Sequence, residues 1–123
     1  MNQKNIFTAI AVILILQGLG FFFMGSQIAV DAFPNVDASV QGAVKIMLEV
    51  MSALSIALGL IAYASRTNAG VVWAFTIGFA VLLCVTLKHL LVDDVNVPIP
   101  ALAIQVLIVL LCGYLWMGQK KTV

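Results

Sequence analysis

Charged residues are scarce in this sequence. They make up 9% of its 123 residues, whereas 63% of the residues are hydrophobic. Soluble globular domains are about a quarter charged and about half apolar, so a water-soluble domain of this size would lack the polar side chains to cover its surface. The formal net charge is +1, which gives no reason to expect a nucleic-acid partner or a polyanionic substrate. We therefore expect an integral membrane protein.

Cysteine, histidine and recognisable catalytic motifs are also scarce. The two cysteines, Cys84 and Cys112, should differ in membrane depth by about 10 Å, which is beyond the reach of a disulfide bond. The single histidine and the two cysteines show no spacing typical of a metal site. No nucleophile, base and orienting group can be recognised together. We therefore predict no enzymatic activity, no metal and no cofactor.

Apolar runs long enough to cross a membrane, about 20 residues each, occur four times. Their predicted bounds are roughly residues 6–24, 42–64, 71–92 and 99–117. We expect the first run to be retained, because it is too long for a signal peptide and no small-residue cleavage site follows it closely. The prediction is a single all-α domain over residues 1–123, a membrane four-helix bundle with up-down-up-down connections.

The charges outside these runs predict the orientation of the bundle. Basic residues fall at the N-terminus, the second loop and the C-terminus, and acidic residues fall in the first and third loops. They are Lys4, Arg66, Lys120 and Lys121 on one side, and Asp31, Asp37, Asp93 and Asp94 on the other. The positive-inside rule then places both termini in the cytoplasm. We expect a multi-pass protein of the bacterial inner membrane.

A small set of polar and ionisable residues remains inside the predicted helices. A charged side chain near the bilayer centre costs roughly 2.5–3.5 kcal/mol, so such residues usually face the bundle interior and have partners. Counting along the helices places one such residue of each helix roughly 6–12 Å below the outer membrane boundary. We predict a ligand- or ion-binding polar cluster built from Gln17, Glu49, Lys88 and Gln105, with Lys45 and His89 nearer its mouth.

Each of these residues has a structural alternative. If the second helix begins near Ala38, Lys45 lies at the headgroups as an interfacial anchor. Lys88 and His89 point about 100° apart on a helix, so one of them belongs at the membrane interface. Glu49 can form an ion pair with Lys45 or Lys88 that only fixes the helix register. The two glutamines can be interhelical contacts worth about 1 kcal/mol or less each.

Small residues at helical spacing mark one face of the second helix. Ser52, Ser55, Gly59 and Ala62 follow one another at intervals of three, four and three residues. Such a stripe lets another helix approach closely. It either packs against a helix of the same chain or forms the seam of a homo-oligomer.

The second helix also carries a resemblance to a known family. In QGAVKIMLEVMSALSIALGLIAYASR a charged residue comes early, a glycine lies at mid-span and a basic residue closes the cytoplasmic end. In these features, and in its length and number of spans, the chain resembles the DoxX-like group of small bacterial four-helix membrane proteins. The resemblance implies a compact bundle that handles a quinone, a lipid or another lipophile, or that serves as an accessory subunit of a membrane complex.

The sequence is compatible with three functions. A binding module would hold a membrane lipid or another amphiphile, with its head at the polar cluster and its tail along the helices. A homo-oligomeric channel or small transporter would move ions or protons through Glu49, with His89 as a group that titrates near neutrality. A purely structural subunit would use the cluster only to fix helix register. Binding of a lipophilic molecule is our first hypothesis.

Overall fold

The computed structural model describes residues 2–92 and 97–120, which form four α-helices. These are α1 (Gln3–Ala32), α2 (Ala38–Ala64), α3 (Gly70–Leu91) and α4 (Ile99–Lys120). Each helix is long and apolar enough to cross a membrane. The predicted all-α, four-helix architecture is therefore present in this part of the chain. Asp93, Asp94 and Lys121, which contributed to the predicted orientation, lie outside the described residues.

The first two helices are longer than predicted. α1 has 30 residues and α2 has 27, whereas α3 and α4 have 22 each. At 1.5 Å per residue, α1 is about 45 Å long and α3 about 33 Å long. The predicted bounds stopped at the length that a membrane requires, but α1 continues to Ala32, where a hydrogen bond of 2.8 Å from Gln27 Nε2 to Asp31 Oδ1 stabilises its last turns. Residues 33–37 are left as a short connection to α2.

Contacts between the helices show that neighbours in the chain run in opposite directions. Ser52 of α2 bonds to the carbonyl of Gly18, and Ser55, three residues later, bonds to the carbonyl of Leu14, four residues earlier in α1. The start of α1 is joined to the end of α4 by a 3.1 Å hydrogen bond between two glutamine side chains. An aromatic contact joins the first turns of α1 and α3. The connections are therefore up-down-up-down.

The hydrophobic core lies toward the end of the bundle where α1 begins and α4 ends. Its buried residues come from every helix and are Ile6, Phe7, Ile10, Ala11, Leu14, Ala62, Val72, Phe75, Phe79, Ile108 and Cys112. Phe7 meets Phe75 edge to face with ring centroids 5.3 Å apart, and Phe75 stacks on Phe79 at 6.0 Å. Large side chains thus fill this end of the bundle.

The helices are not packed evenly around the bundle. α1 lies close to α2 and α3 lies close to α4, whereas α1 and α4 approach each other at fewer positions. Within the described residues, no Cα atom of α2 lies within 8 Å of a Cα atom of α3. The bundle is therefore open along one side, between α2 and α3.

Candidate functional site

A cavity lies among all four helices, at the end of the bundle away from the core. Its volume is about 370 Å³. Apolar side chains of α1, α2 and α4 form most of its walls, α3 contributes Thr86 and His89, and the third polar lining residue is Gln105. Binding sites for small molecules are cavities of about 300–1,000 Å³ that are mostly apolar and contain a few convergent polar groups. We call this space the four-helix cavity and take it as the candidate site.

Gln105 lies at the floor of the four-helix cavity. Its position follows from the buried face of α4, because residues 105, 108 and 112 recur at helical spacing and share one side of the helix. Ile108 and Cys112 belong to the core, whereas Gln105 and the preceding turn at Ala101 line the cavity. One face of α4 therefore packs in the core at Ile108 and Cys112 and lines the cavity at Gln105.

The amide of Gln105 has an unsatisfied hydrogen-bonding group. The residue is 8% exposed, and its Oε1 has no hydrogen-bond partner among the described residues. Leaving a buried acceptor without a partner costs about 1–3 kcal/mol. The oxygen has less than 1 Å² of accessible surface, so a ligand with an O–H or N–H group would remove this cost once the amide turns toward the cavity. Because the amide oxygen and nitrogen exchange places when the group turns over, the same side chain can also donate to a carbonyl oxygen.

The other polar lining residues lie on α3. Thr86 donates a hydrogen bond of 3.0 Å to the carbonyl oxygen of Leu82 in its own helix, so its hydroxyl proton is already in use. His89 lies three residues farther along α3, toward the end of the helix and the mouth of the cavity. The polar groups of the cavity therefore lie at two levels, with Gln105 at the floor and His89 at the mouth.

The structure does not gather the predicted polar cluster in one place. Gln105 and His89 line the four-helix cavity, whereas Gln17, Lys45, Glu49 and Lys88 are not among its lining residues. Gln17 is half-buried on α1 and Lys88 is exposed on α3. The prediction placed these residues at similar depths, but their side chains point in different directions around the bundle.

Lys45 and Glu49 lie on a different flank of α2 from the cavity. Lys45 Nζ is 3.9 Å from Glu49 Oε1, and the two side chains are 49% and 42% exposed. Val44 and Leu48 face the cavity, and Glu49 is rotated from Val44 by about 140° around the helix axis. Ion pairs of this spacing on an exposed helix contribute about 0.3–0.5 kcal/mol. The helix begins at Ala38, as the anchoring alternative for Lys45 requires.

The small-residue face of α2 packs against α1 within the chain. Ser52 Oγ donates to the carbonyl oxygen of Gly18 at 2.7 Å, and Ser55 Oγ donates to that of Leu14 at 2.9 Å. A Cβ atom on Gly59 would lie 2.9 Å from a backbone oxygen of α1, so the two backbones touch here. All members of the stripe are buried. Of the two alternatives, the structure shows the one in which the stripe holds two helices of one chain together.

The residues of α1 that form the other half of this contact were not predicted from the sequence. A Cβ atom on Gly18 would lie 2.8 Å from the backbone oxygen of Ser52 and 2.6 Å from Ile56 Cγ1. Ala11, Gly18 and Gly25 are all buried and recur every seven residues, which places them on one face of α1. The seven-residue spacing of small residues in α1 is the sequence signal that predicts α1 as the partner of the α2 stripe.

Comparisons with known proteins do not assign the chain to a family. No protein-family model, curated protein or solved structure matches it. The resemblance to the DoxX-like group stays a prediction from the sequence. The geometry of the four-helix cavity is therefore the basis for the proposed function.

Proposed function

We propose that this chain is a multi-pass membrane protein that binds a lipophilic small molecule in the four-helix cavity, with Gln105 as the polar contact. The observation that carries the proposal is the unpartnered Oε1 of a nearly buried amide at the floor of an apolar cavity. A turn of the amide would bring that oxygen to a bound hydroxyl or amine, and the apolar walls would enclose the rest of the ligand.

The size and lining of the cavity define the class of ligand. An apolar cavity of about 150 Å³ holds one benzene molecule, so a cavity of about 370 Å³ suits a head group of roughly two fused rings. Neither an acidic nor a lysine or arginine side chain lines it in the described part of the chain. Because His89 lies at the mouth and not at the floor, a charged head beside Gln105 would have no charged partner, which is costly in an apolar site. We expect an uncharged, quinol-like or quinone-like head with a hydroxyl or carbonyl group.

The charge distribution supports a location in the bacterial inner membrane with both termini in the cytoplasm. Lys4 and Arg66 lie at the end of the bundle where α1 begins and α4 ends, and Asp31 and Asp37 lie at the opposite end. By the positive-inside rule the first end is cytoplasmic, so the four-helix cavity opens in the outer half of the membrane. Such a protein would handle its ligand by itself or as an accessory subunit of a membrane complex.

The proposal is tested by measuring which small molecules remain bound to the purified protein. The protein is released from lipid nanodiscs in a native mass spectrometer, and the bound fraction of any lipophile is compared between wild type, Gln105→Leu and Gln17→Leu. We expect Gln105→Leu to lower occupancy about tenfold, because one hydrogen bond in an apolar site is lost. Gln17→Leu, the same chemical change outside the cavity wall, should leave occupancy unchanged.

The stability of the ligand-free protein separates a binding role from a structural one. If Gln105 serves ligand binding, Gln105→Leu removes an unsatisfied group and the empty protein is as stable as wild type or more stable. Wild-type occupancy in Gln105→Leu would contradict the proposal. An empty oligomer of defined size would instead favour a channel or transporter that uses Glu49.

A further inference from the structure

A second apolar space lies along the open side of the bundle. This α2–α3 groove has a volume of about 430 Å³ and is lined by Leu58, Ala74, Phe75, Gly78, Phe79 and Leu82. Phe75 and Phe79 are held in place by their stacking and by the contact of Phe75 with Phe7. A Cβ atom on Gly78 would meet no other atom within 4 Å. The groove therefore exists because α3 has no side chain at this position and α2 stays at a distance.

The α2–α3 groove and the four-helix cavity lie end to end. On α3, Leu82 lines the groove and Thr86, one turn later, lines the cavity. On α2, Leu58 lines the groove and Met51, two turns earlier on the same face, lines the cavity. The two spaces together follow α3 over about 15 residues, or about 22 Å. Both spaces lie on one face of α3, and Gln105 supplies the buried lining atom that has no hydrogen-bond partner among the described residues.

We infer that the ligand is a single-tailed amphiphile, whose uncharged head occupies the four-helix cavity at Gln105 and whose alkyl or prenyl tail lies in the α2–α3 groove. This inference rests on the proposed function and specifies its ligand. The amide of Gln105, whose Oε1 has no partner among the described residues, suits a hydrogen-bonding head, and the apolar groove farther along the same face of α3 suits a hydrocarbon chain.

The dimensions of the groove favour a lipid tail over a helix of a partner protein. A helix with its side chains is about 10 Å wide, so a segment running along the roughly 12 Å from Ala74 to Leu82 would occupy about 900 Å³. That is twice the groove volume of about 430 Å³. A partner helix would therefore remain largely outside the groove, whereas a single hydrocarbon chain fits within it.

The test uses two phenols that share a head and differ in their tails. The protein in nanodiscs is titrated with para-cresol and with para-dodecylphenol, and binding is compared between wild type, Gly78→Phe and Gly113→Phe. Gly113 lies on α4 outside both spaces, and a Cβ atom there also meets no atom within 4 Å. We expect Gly78→Phe to weaken binding of para-dodecylphenol about tenfold, because the ring occupies the space of the tail, and to leave para-cresol binding unchanged. Gly113→Phe should affect neither.

A photoreactive probe locates the tail directly. A para-dodecylphenol with a diazirine at the end of its tail is irradiated in the nanodisc, and the labelled residues are identified by peptide mass spectrometry. We expect labelling of Leu58 and Phe79, and loss of this labelling in Gly78→Phe. Equal labelling of the exposed face of α4 at Leu107 and Leu110 would show that the tail lies in bulk lipid and would overturn the inference.

The results separate this inference from the proposed function. Binding of para-cresol that depends on Gln105, together with tail labelling spread over all helices, would overturn the tail assignment and leave the proposed function in place. Binding of both phenols that is unaffected by Gln105→Leu would overturn both.

Discussion

The two sides of α2 differ in how they meet their neighbours. Toward α1, the helix presents serine, glycine and alanine, and the two backbones touch. Toward α3, it presents Leu58 opposite Phe75 and Phe79, and the helices remain apart. In water, α2 and α3 would pack together, because the face of α2 toward α3 is the more apolar of the two. In the membrane that we propose for this chain, lipid is as apolar as leucine, so close approach and hydrogen bonds decide which helices pair.

The largest expected effect comes from adding a side chain at Gly59, where α2 touches α1. The comparison is the same addition at Gly78 of α3, which lines the α2–α3 groove. Gly59→Leu drives a side chain into the backbone of α1, 2.9 Å from an oxygen that cannot move aside, and we expect it to lower the free energy of unfolding by about 3 kcal/mol. Gly78→Leu enters open space and should change it by less than about 1 kcal/mol. Unfolding in mixed detergent micelles, followed by circular dichroism, measures both. Equal losses would show that the two sides do not differ in packing.

A smaller effect is expected from the interhelical hydrogen bonds. Replacing Ser52 and Ser55 by alanine removes two bonds to α1, each worth about 0.6 kcal/mol in a membrane, so the double variant should lose about 1.2 kcal/mol. Thr86→Val is the control, because its hydroxyl bonds within its own helix and its loss should change stability little. A loss well above that of Gly59→Leu would mean that hydrogen bonding, and not close packing, holds α1 to α2.

The smallest effect is expected at the ion pair. Glu49→Gln breaks a half-exposed pair with Lys45 and should cost less than about 0.5 kcal/mol. Because Glu49 does not line the four-helix cavity, the occupancy of a bound lipophile should also stay at the wild-type level. A loss of ligand as large as that in Gln105→Leu would show that the binding site includes the flank of α2 that carries Glu49.

The helices could be predicted from the sequence, but their full lengths could not. Apolar runs report the thickness of the membrane, so the predicted first helix ended at Met24, whereas α1 reaches Ala32. The extra turns contain polar residues that contact each other, such as Gln27 and Asp31. Hydropathy does not register such contacts, because they stabilise a helix without making it apolar.

Position along the bundle could be predicted for Gln105 and His89, but direction around each helix could not. Gln105 lies in the half of the bundle where counting residues placed it, with His89 nearer the mouth. The structure separates Glu49 from Gln105, because the direction of the Glu49 side chain depends on how α2 is rotated about its axis. That rotation is fixed by the contact of Ser52 with Gly18, which turns Glu49 away from the cavity. Predicting it requires pairing the α2 stripe with the small residues that recur every seven positions in α1.

The hydrogen bond between Gln3 and Gln119, 3.1 Å from Nε2 to Oε1, joins the two ends of the described chain. The contacts of α1 with α2 connect consecutive segments, so this hairpin can assemble as soon as its second helix leaves the ribosome. Its serine hydroxyls and glycines are already matched within the pair, so the hairpin needs no contact from α3 or α4 while the rest of the chain is synthesised. The glutamine contact has to wait for the last turn of the last helix. The α4 residues that line the four-helix cavity, Ala101 and Gln105, precede that turn in the chain, so the wall of the cavity is synthesised before the contact that ties the two ends of the bundle together.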